Sequence, residues 1–92
     1  MNFEWDAEKA DANLEKHDVS FRDAATVFAD PLSTTFPDPD HSEGERRFLT
    51  IGASQNGALL VIAHIEQGDT IRIISARRVT GHERKFYEEA ND

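Results

Sequence analysis

Two short turns in the second half of the sequence constrain the fold more than any other feature. The first contains Asn56-Gly57, a pair typical of tight β-hairpins. The second is Gln67-Gly68-Asp69. Apolar segments with the character of strands flank both turns, at 47–52, 58–66 and 70–76. Because parallel neighbours need a crossover of a dozen residues or more, the turns predict an antiparallel meander.

Helical segments flank the predicted strands, and each follows a residue that can cap a helix. Asp6 precedes the alanine-rich segment 7–16, and Ser20 precedes an apolar stripe that ends at Asp30-Pro31. Thr80, with a glutamate three residues later, resembles a capping box before the last segment. The sequence therefore predicts two N-terminal helices and one C-terminal helix.

The order of these elements is typical of the α+β class. We expect an antiparallel sheet of three to four strands, of which 32–36 is the weakest candidate, with the helices segregated to one face. A chain of 92 residues can form one modest core, so residues 1–92 are expected to form a single domain.

Composition excludes several kinds of site and leaves the charge to be explained. The chain has no cysteine, which excludes disulfides and thiolate metal ligands, and its histidines show no metal-ligand spacing. It contains neither a membrane-spanning run nor a basic, apolar signal segment, so a cytoplasmic location is expected. The net charge of -8 argues against a polyanionic partner, but most basic residues cluster within 46–85.

The segment IRIISARR, residues 71–78, carries three of these basic residues. Arg72 lies between isoleucines, where an arginine needs either an anion or a path to water. One interpretation is an ion pair with a carboxylate of the chain itself; the other is a guanidinium held on a rigid strand for phosphate. In an ideal strand Arg72 and Arg77 lie on opposite faces, so contact with one phosphate requires a bulge.

Two further groups of side chains allow a structural and a functional interpretation. Lys9, Asn13, Lys16 and His17 recur at helical spacing, either as a solvated polar face or as part of a site. Tyr87 on the last helix is typical of a tyrosine that packs with its hydroxyl at the surface.

Several stretches together resemble the BrnT family, which are toxins of type II toxin–antitoxin pairs. The matching stretches, in the family's order, are FEWDAEKADANLEKHDVSF (3–21), AATVFADPL (24–32), DHSEGERRFLTIGAS (40–54) and IRIISARRVTGHERKFYE (71–88). This resemblance implies a fold similar to RelE-type toxins and a ribonuclease that blocks translation. It also implies a BrnA-like antitoxin as partner in a hetero-oligomer, with operator DNA bound only through that antitoxin, and no membrane association.

The resemblance also implies a metal-free cleavage of RNA in which the 2′-hydroxyl is the nucleophile, without a cofactor. Such a reaction needs a base, an acid and cations for the charge that builds on phosphorus. The implied catalytic residues are Lys16, His17, Arg72, Arg77 and Tyr87, and the implied phosphate-binding residues are Arg46 and Arg78. His41 is a weaker candidate for proton transfer.

Two departures from the family's pattern favour a second hypothesis. Asp18 follows His17 where relatives commonly have glycine, and Gln67 stands where an arginine is common. Both departures make the region of the implied site less positive. The alternative is a homologue with weak or absent nuclease activity that binds the antitoxin as a co-repressor subunit.

Overall fold

The computed structural model describes residues 1–40 and 46–91 and confirms the α+β class. His41, with residues 42–45 and 92, lies outside the described residues. The elements, in chain order, are β1 (Asn2–Glu4), α1 (Ala7–His17), α2 (Phe21–Ala25), a 3₁₀ turn (Thr26–Ala29), β2 (Thr34–Pro37), β3 (Arg47–Ala53), β4 (Leu59–Gln67), β5 (Thr70–Arg78) and α3 (Gly81–Ala90).

The sheet differs from the prediction in both size and direction. It has five strands in the order β1-β5-β4-β3-β2, and β1 pairs in parallel with β5, so the sheet is mixed. The predicted meander corresponds to β3, β4 and β5, with β2 antiparallel at the other edge. A three-residue strand such as β1 is too short to show an alternating pattern, and its partner lies far along the chain.

The helices begin where the sequence predicts and for the predicted reason. The Asp6 carboxylate accepts hydrogen bonds from the backbone N–H groups at the start of α1, and Thr80 and Glu83 form the capping box of α3. α1 ends with Asp18 in the left-handed region, at φ 57°. The second predicted helix tightens into a 3₁₀ turn after Ala25 and stops at Asp30.

We call the side of the sheet that α1 and α2 cover the first face. Its core contains Phe21 from α2, Leu60 and Ile62 from β4, and Ile73 from β5, all with 2% exposure or less. α3 lies on the opposite side, the second face, where Phe86 contacts Phe36 of β2. The expectation that all helices lie on one face is therefore wrong, because the apolar second faces of β2 and β3 also require cover.

Among the described residues, none of the helices has the length and apolar character that crossing a membrane requires.

Candidate functional site

A bulge in β5 brings two of the predicted arginines to the same face. Ser75 pairs with Ala63 of β4 and Ile73 pairs with His64, which leaves Ile74 as an extra residue. Without it, Arg72 and Arg77 would lie on opposite faces. With it, both side chains project from the second face, about 14 Å apart at roughly 3.4 Å per residue along β4.

Arg77 is held by a carboxylate from α3. Its two terminal nitrogens donate to the two carboxylate oxygens of Glu83 at 2.7 and 2.9 Å, and one of them also donates to the Arg78 carbonyl at 3.2 Å. The hydrogen bonds from Arg77 lower the pKa of Glu83 to about 2, and the hydrogen bond from the Thr80 N–H acts in the same direction. The same pair raises the pKa of Arg77, whose side chain remains 41% exposed.

Arg72 makes a much weaker pair. One terminal nitrogen lies 3.4 Å from a carboxylate oxygen of Glu4, and the two side chains are 36% and 47% exposed. A single long contact between exposed groups contributes little and is easily exchanged for another anion. Arg72 therefore pairs with a carboxylate of the chain, and this pair is weak enough for a phosphate to replace it.

The last turn of α1 lies beside the end of β5 that carries Arg77. The Asn13 side-chain amide donates to the Ala76 carbonyl at 2.8 Å and accepts from the Ala76 N–H at 3.1 Å, as a neighbouring strand would. Because β1 is parallel to β5 and contacts it earlier along both elements, α1 runs in the same direction as β5. Lys16 and His17, one turn beyond Asn13, therefore lie towards the C-terminal end of β5. Arg78, in register with Leu60, is on the first face there, whereas Arg77 projects from the second face.

These contacts divide the polar helix face into a buried part and an exposed part. Asn13 is buried, with 7% exposure, and serves to close the edge of β5. Lys9 and Lys16 are exposed and His17 is partly buried. Leu14, which a simple amphipathic helix would bury, is 48% exposed, because α1 turns Asn13 rather than Leu14 toward β5.

Tyr87 lies on α3 and is engaged in a structural contact. Its hydroxyl donates to the Asp30 carboxylate at 2.7 Å. Burial, together with that hydrogen bond, raises the pKa of Tyr87 to about 12. Burial alone would raise the pKa of Asp30, but hydrogen bonds from Ala53, Tyr87 and Leu32 hold it below its usual value. The pair fastens α3 to the loop before β2, and it makes Tyr87 a poor proton acceptor at neutral pH.

The two predicted phosphate-binding arginines lie at opposite ends of the sheet. Arg78 is at the end of β5, in register with Leu60. Arg46 precedes β3, and its guanidinium carbon lies 5.5 Å from the centre of the Phe48 ring. The β4 partners of Arg78 and of Arg47 are about 17 Å apart, at roughly 3.4 Å per residue, so Arg46 and Arg78 do not converge.

Two further histidines differ sharply in environment. His64 is fully buried on the first face, donates to or accepts from the Thr50 hydroxyl at 2.7 Å, and has a pKa lowered to about 4 by burial. His82 lies on the second face, where it lines an apolar groove of about 460 Å³ with Phe36, Leu49 and Phe86. In 1–40 and 46–91, no three His, Asp or Glu side chains come together in a way that could hold a metal ion.

The sequence does not predict the contact that holds Arg77 or the contact that joins α1 to β5. It indicates Glu83 only as a helix cap, because the pairing with Arg77 depends on where α3 crosses the sheet. It indicates Asn13 only as a member of the polar helix face. A buried polar residue has the same helical spacing as a solvated one, so the sequence contained no signal for either contact.

Comparison with known proteins identifies a matching sequence family and a solved structure with a similar fold. Residues 5–83 match the sequence model of the family described as ribonuclease toxin, BrnT, of type II toxin-antitoxin system. The fold is similar to the crystal structure of the Brucella abortus ribonuclease toxin, BrnT, with a TM-score of 0.68 and 22% identity over 87% of this chain and 97% of that chain. No match is found among curated proteins.

Proposed function

The chain belongs to the BrnT family of type II toxin–antitoxin ribonuclease toxins, and from this we propose that it is a metal-independent endoribonuclease. In the proposed reaction the 2′-hydroxyl of RNA attacks the adjacent phosphorus and the 5′ oxygen leaves. The substrate brings its own nucleophile, so the protein has to supply proton transfer and positive charge.

The observation that carries this proposal is the bulge at Ile74, which gives Arg72 and Arg77 a common face. Their side chains are 36% and 41% exposed, on rigid backbone. A planar guanidinium presents paired N–H donors that match phosphate oxygens, and it is always charged. Two exposed guanidinium groups on one face can contact successive phosphates of an RNA strand.

We assign proton transfer to the corner where α1 and β5 end. His17 is the candidate base, since a neutral imidazole nitrogen can accept a proton, and Lys16 and Arg78 would supply positive charge at this corner. Tyr87 we assign to holding α3 through Asp30, because its hydroxyl is committed to that carboxylate. Arg46 lies too far from this corner to share a phosphate with Arg78.

The biological role follows from the family. We propose that residues 1–92 form one toxin domain that inhibits translation by cutting RNA and is neutralised by a BrnA-like antitoxin in a hetero-oligomer. Operator DNA would be contacted through the antitoxin.

One observation favours the alternative of a catalytically weak, antitoxin-binding subunit. Arg72 and Arg77 each contact a carboxylate of the chain itself, Glu4 and Glu83. Under the alternative these pairs are the permanent state of both arginines, and RNA does not displace or join them.

The deciding experiment is RNA cleavage by the purified chain, with and without the product of the neighbouring gene, in the presence of EDTA. We expect cleavage that EDTA does not stop and that the partner suppresses. Loss of cleavage in EDTA would contradict the metal-independent mechanism, and absence of cleavage in any condition would favour the alternative.

Arginine variants locate the activity on the molecule. Arg77→Ala should lower the cleavage rate by about 100-fold or more, as removal of one charge-stabilising donor group does in other active sites. Arg72→Ala should lower it less. Arg22→Ala, an exposed arginine of α2, is the matched control and should cleave like the wild type. Equal activity of the Arg77→Ala and Arg22→Ala variants would remove Arg77 from the site.

A further inference from the structure

We propose that Glu83 is a positioning residue for the cleavage reaction, which acts by fixing the direction of the Arg77 guanidinium. This inference rests on the proposed function, because it requires Arg77 to contact the RNA phosphate. It assigns a role in the reaction to a side chain that the sequence marks only as a helix cap.

The contact has the geometry of an orienting clamp. Both terminal nitrogens of Arg77 donate to Glu83, one to each carboxylate oxygen, at 2.7 and 2.9 Å. A two-point contact between planar groups fixes the rotation of the guanidinium as well as its position. The single 3.4 Å contact between Arg72 and Glu4 has no such effect.

The clamp leaves donors for a ligand. A guanidinium has five N–H donors, and the hydrogen bonds of Arg77 to described residues use three of them. The side chain is 41% exposed, against 24% for Glu83. The remaining donors, the Nε–H and one N–H of a terminal nitrogen, make no hydrogen bond to a described residue, and the more exposed Arg77 side chain can offer them to a phosphate.

Glu83 is itself held on two sides, so it can act as a fixed support. One carboxylate oxygen accepts from the Thr80 N–H at 2.8 Å, which completes the capping box, and the same oxygen accepts from Arg77. Thr80 in turn accepts from the Glu83 N–H at 3.2 Å. With a pKa of about 2, Glu83 is ionised at neutral pH and is too weak a base to take the proton of the nucleophile.

Positioning and competition predict opposite changes. If Glu83 orients Arg77 toward the charge that develops on phosphorus, loss of the Glu83 charge slows the chemical step and has a smaller effect on RNA affinity. If Glu83 instead occupies Arg77 in competition with phosphate, loss of its charge frees the arginine and raises activity.

The chain offers a matched pair of variants that separates the ion pair from the helix cap. Glu83→Gln keeps a side chain that suits the capping box but removes the charge that clamps Arg77. Thr80→Ala removes half of the capping box and keeps both partners of the ion pair. We would measure kcat and KM on a defined single-stranded RNA oligonucleotide, with thermal unfolding of each variant as a check on the fold.

We expect Glu83→Gln to lower kcat about 10-fold with little change in KM, and Thr80→Ala to leave kcat within about twofold of the wild type. In an Arg77→Ala background, Glu83→Gln should have no further effect. A rise in kcat for Glu83→Gln, an equal fall for Thr80→Ala, or a further fall in the Arg77→Ala background would each overturn the proposal.

The same measurements separate this inference from the proposed function. If the wild type cleaves and Arg77→Ala is impaired while Glu83→Gln is not, the inference alone fails. If Arg77→Ala cleaves like the wild type, the site assignment fails and the inference fails with it. If the wild type does not cleave the oligonucleotide or total RNA, the ribonuclease proposal and the inference are both wrong.

Discussion

The two faces of the sheet are built in opposite ways. On the first face, α1, α2 and the 3₁₀ turn seal an apolar core whose largest side chains are at most 2% exposed. On the second face, α3 has no buried residue and is held by an ion pair, one tyrosine hydroxyl and an aromatic contact. The first face supplies most of the apolar burial, and the second leaves charged groups accessible.

This difference shows how a small acidic chain can keep arginines available. A guanidinium placed within the core of the first face would have to be desolvated among apolar side chains, which costs several kcal/mol without a partner. On the second face Arg72 and Arg77 stay near water while their backbone is fixed by pairing with β4. Substitutions of these charged residues on the second face should therefore have little effect on the core.

The largest expected effect compares one residue type on the two faces. Phe21→Ala should lower the free energy of unfolding by about 3–5 kcal/mol, because Phe21 is 2% exposed and its removal leaves a cavity. Phe86→Ala, its matched control on α3, should cost about 1 kcal/mol or less, because Phe86 is 45% exposed. Urea unfolding measures both, and similar losses would mean that the second face is also a core.

A smaller loss is expected at the contact that joins α1 to the edge of β5. Asn13→Ala should lower the free energy of unfolding by about 2–3 kcal/mol, since three hydrogen bonds of a buried amide are lost. Lys9→Ala on the same helix is exposed and should change it by less than about 0.5 kcal/mol. If the two variants unfold alike in urea, Asn13 does not anchor α1.

The first face contains one titratable group that should make its stability depend on pH. The pKa of His64 is lowered from 6.5 to about 4, so between these values the unfolded chain binds the proton and the folded chain does not. Stability should therefore fall as pH decreases through this window, by about 2 kcal/mol between pH 7 and pH 5.

Urea unfolding at pH 7 and pH 5 tests this, with two variants for comparison. His64→Gln should lose most of the pH dependence, and His82→Gln, on the exposed α3, should keep it. A wild type whose stability is the same at both pH values would show that His64 is not buried as described.

The smallest expected effect lies where α1 ends. Asp18 has a φ of 57°, in the left-handed region that glycine adopts without a side-chain penalty. Asp18→Gly should raise the free energy of unfolding by about 0.5–1 kcal/mol, and Asp18→Ala should lower it. A loss of stability in the glycine variant would mean that the aspartate side chain stabilises this turn.

Local chemistry made much of the fold predictable. The turns at Asn56-Gly57 and Gly68 specified the three central strands, and Asp6 and Thr80 specified two helix starts, because turns and caps depend on a few adjacent residues. β1 and the position of α3 were not predictable in this way, since each depends on a partner far along the chain.

The candidate site also has a part that the sequence predicts and a part that it does not. The sequence by itself identified the arginines of β5, the end of α1 and the family, since these are properties of residue types in order. Only the tertiary structure decided that Ile74 is a bulge, that Arg72 and Arg77 share a face, and that Glu83 holds one of them. The physical reason is that strand register and helix crossing are fixed by how the whole core packs, which no single segment encodes.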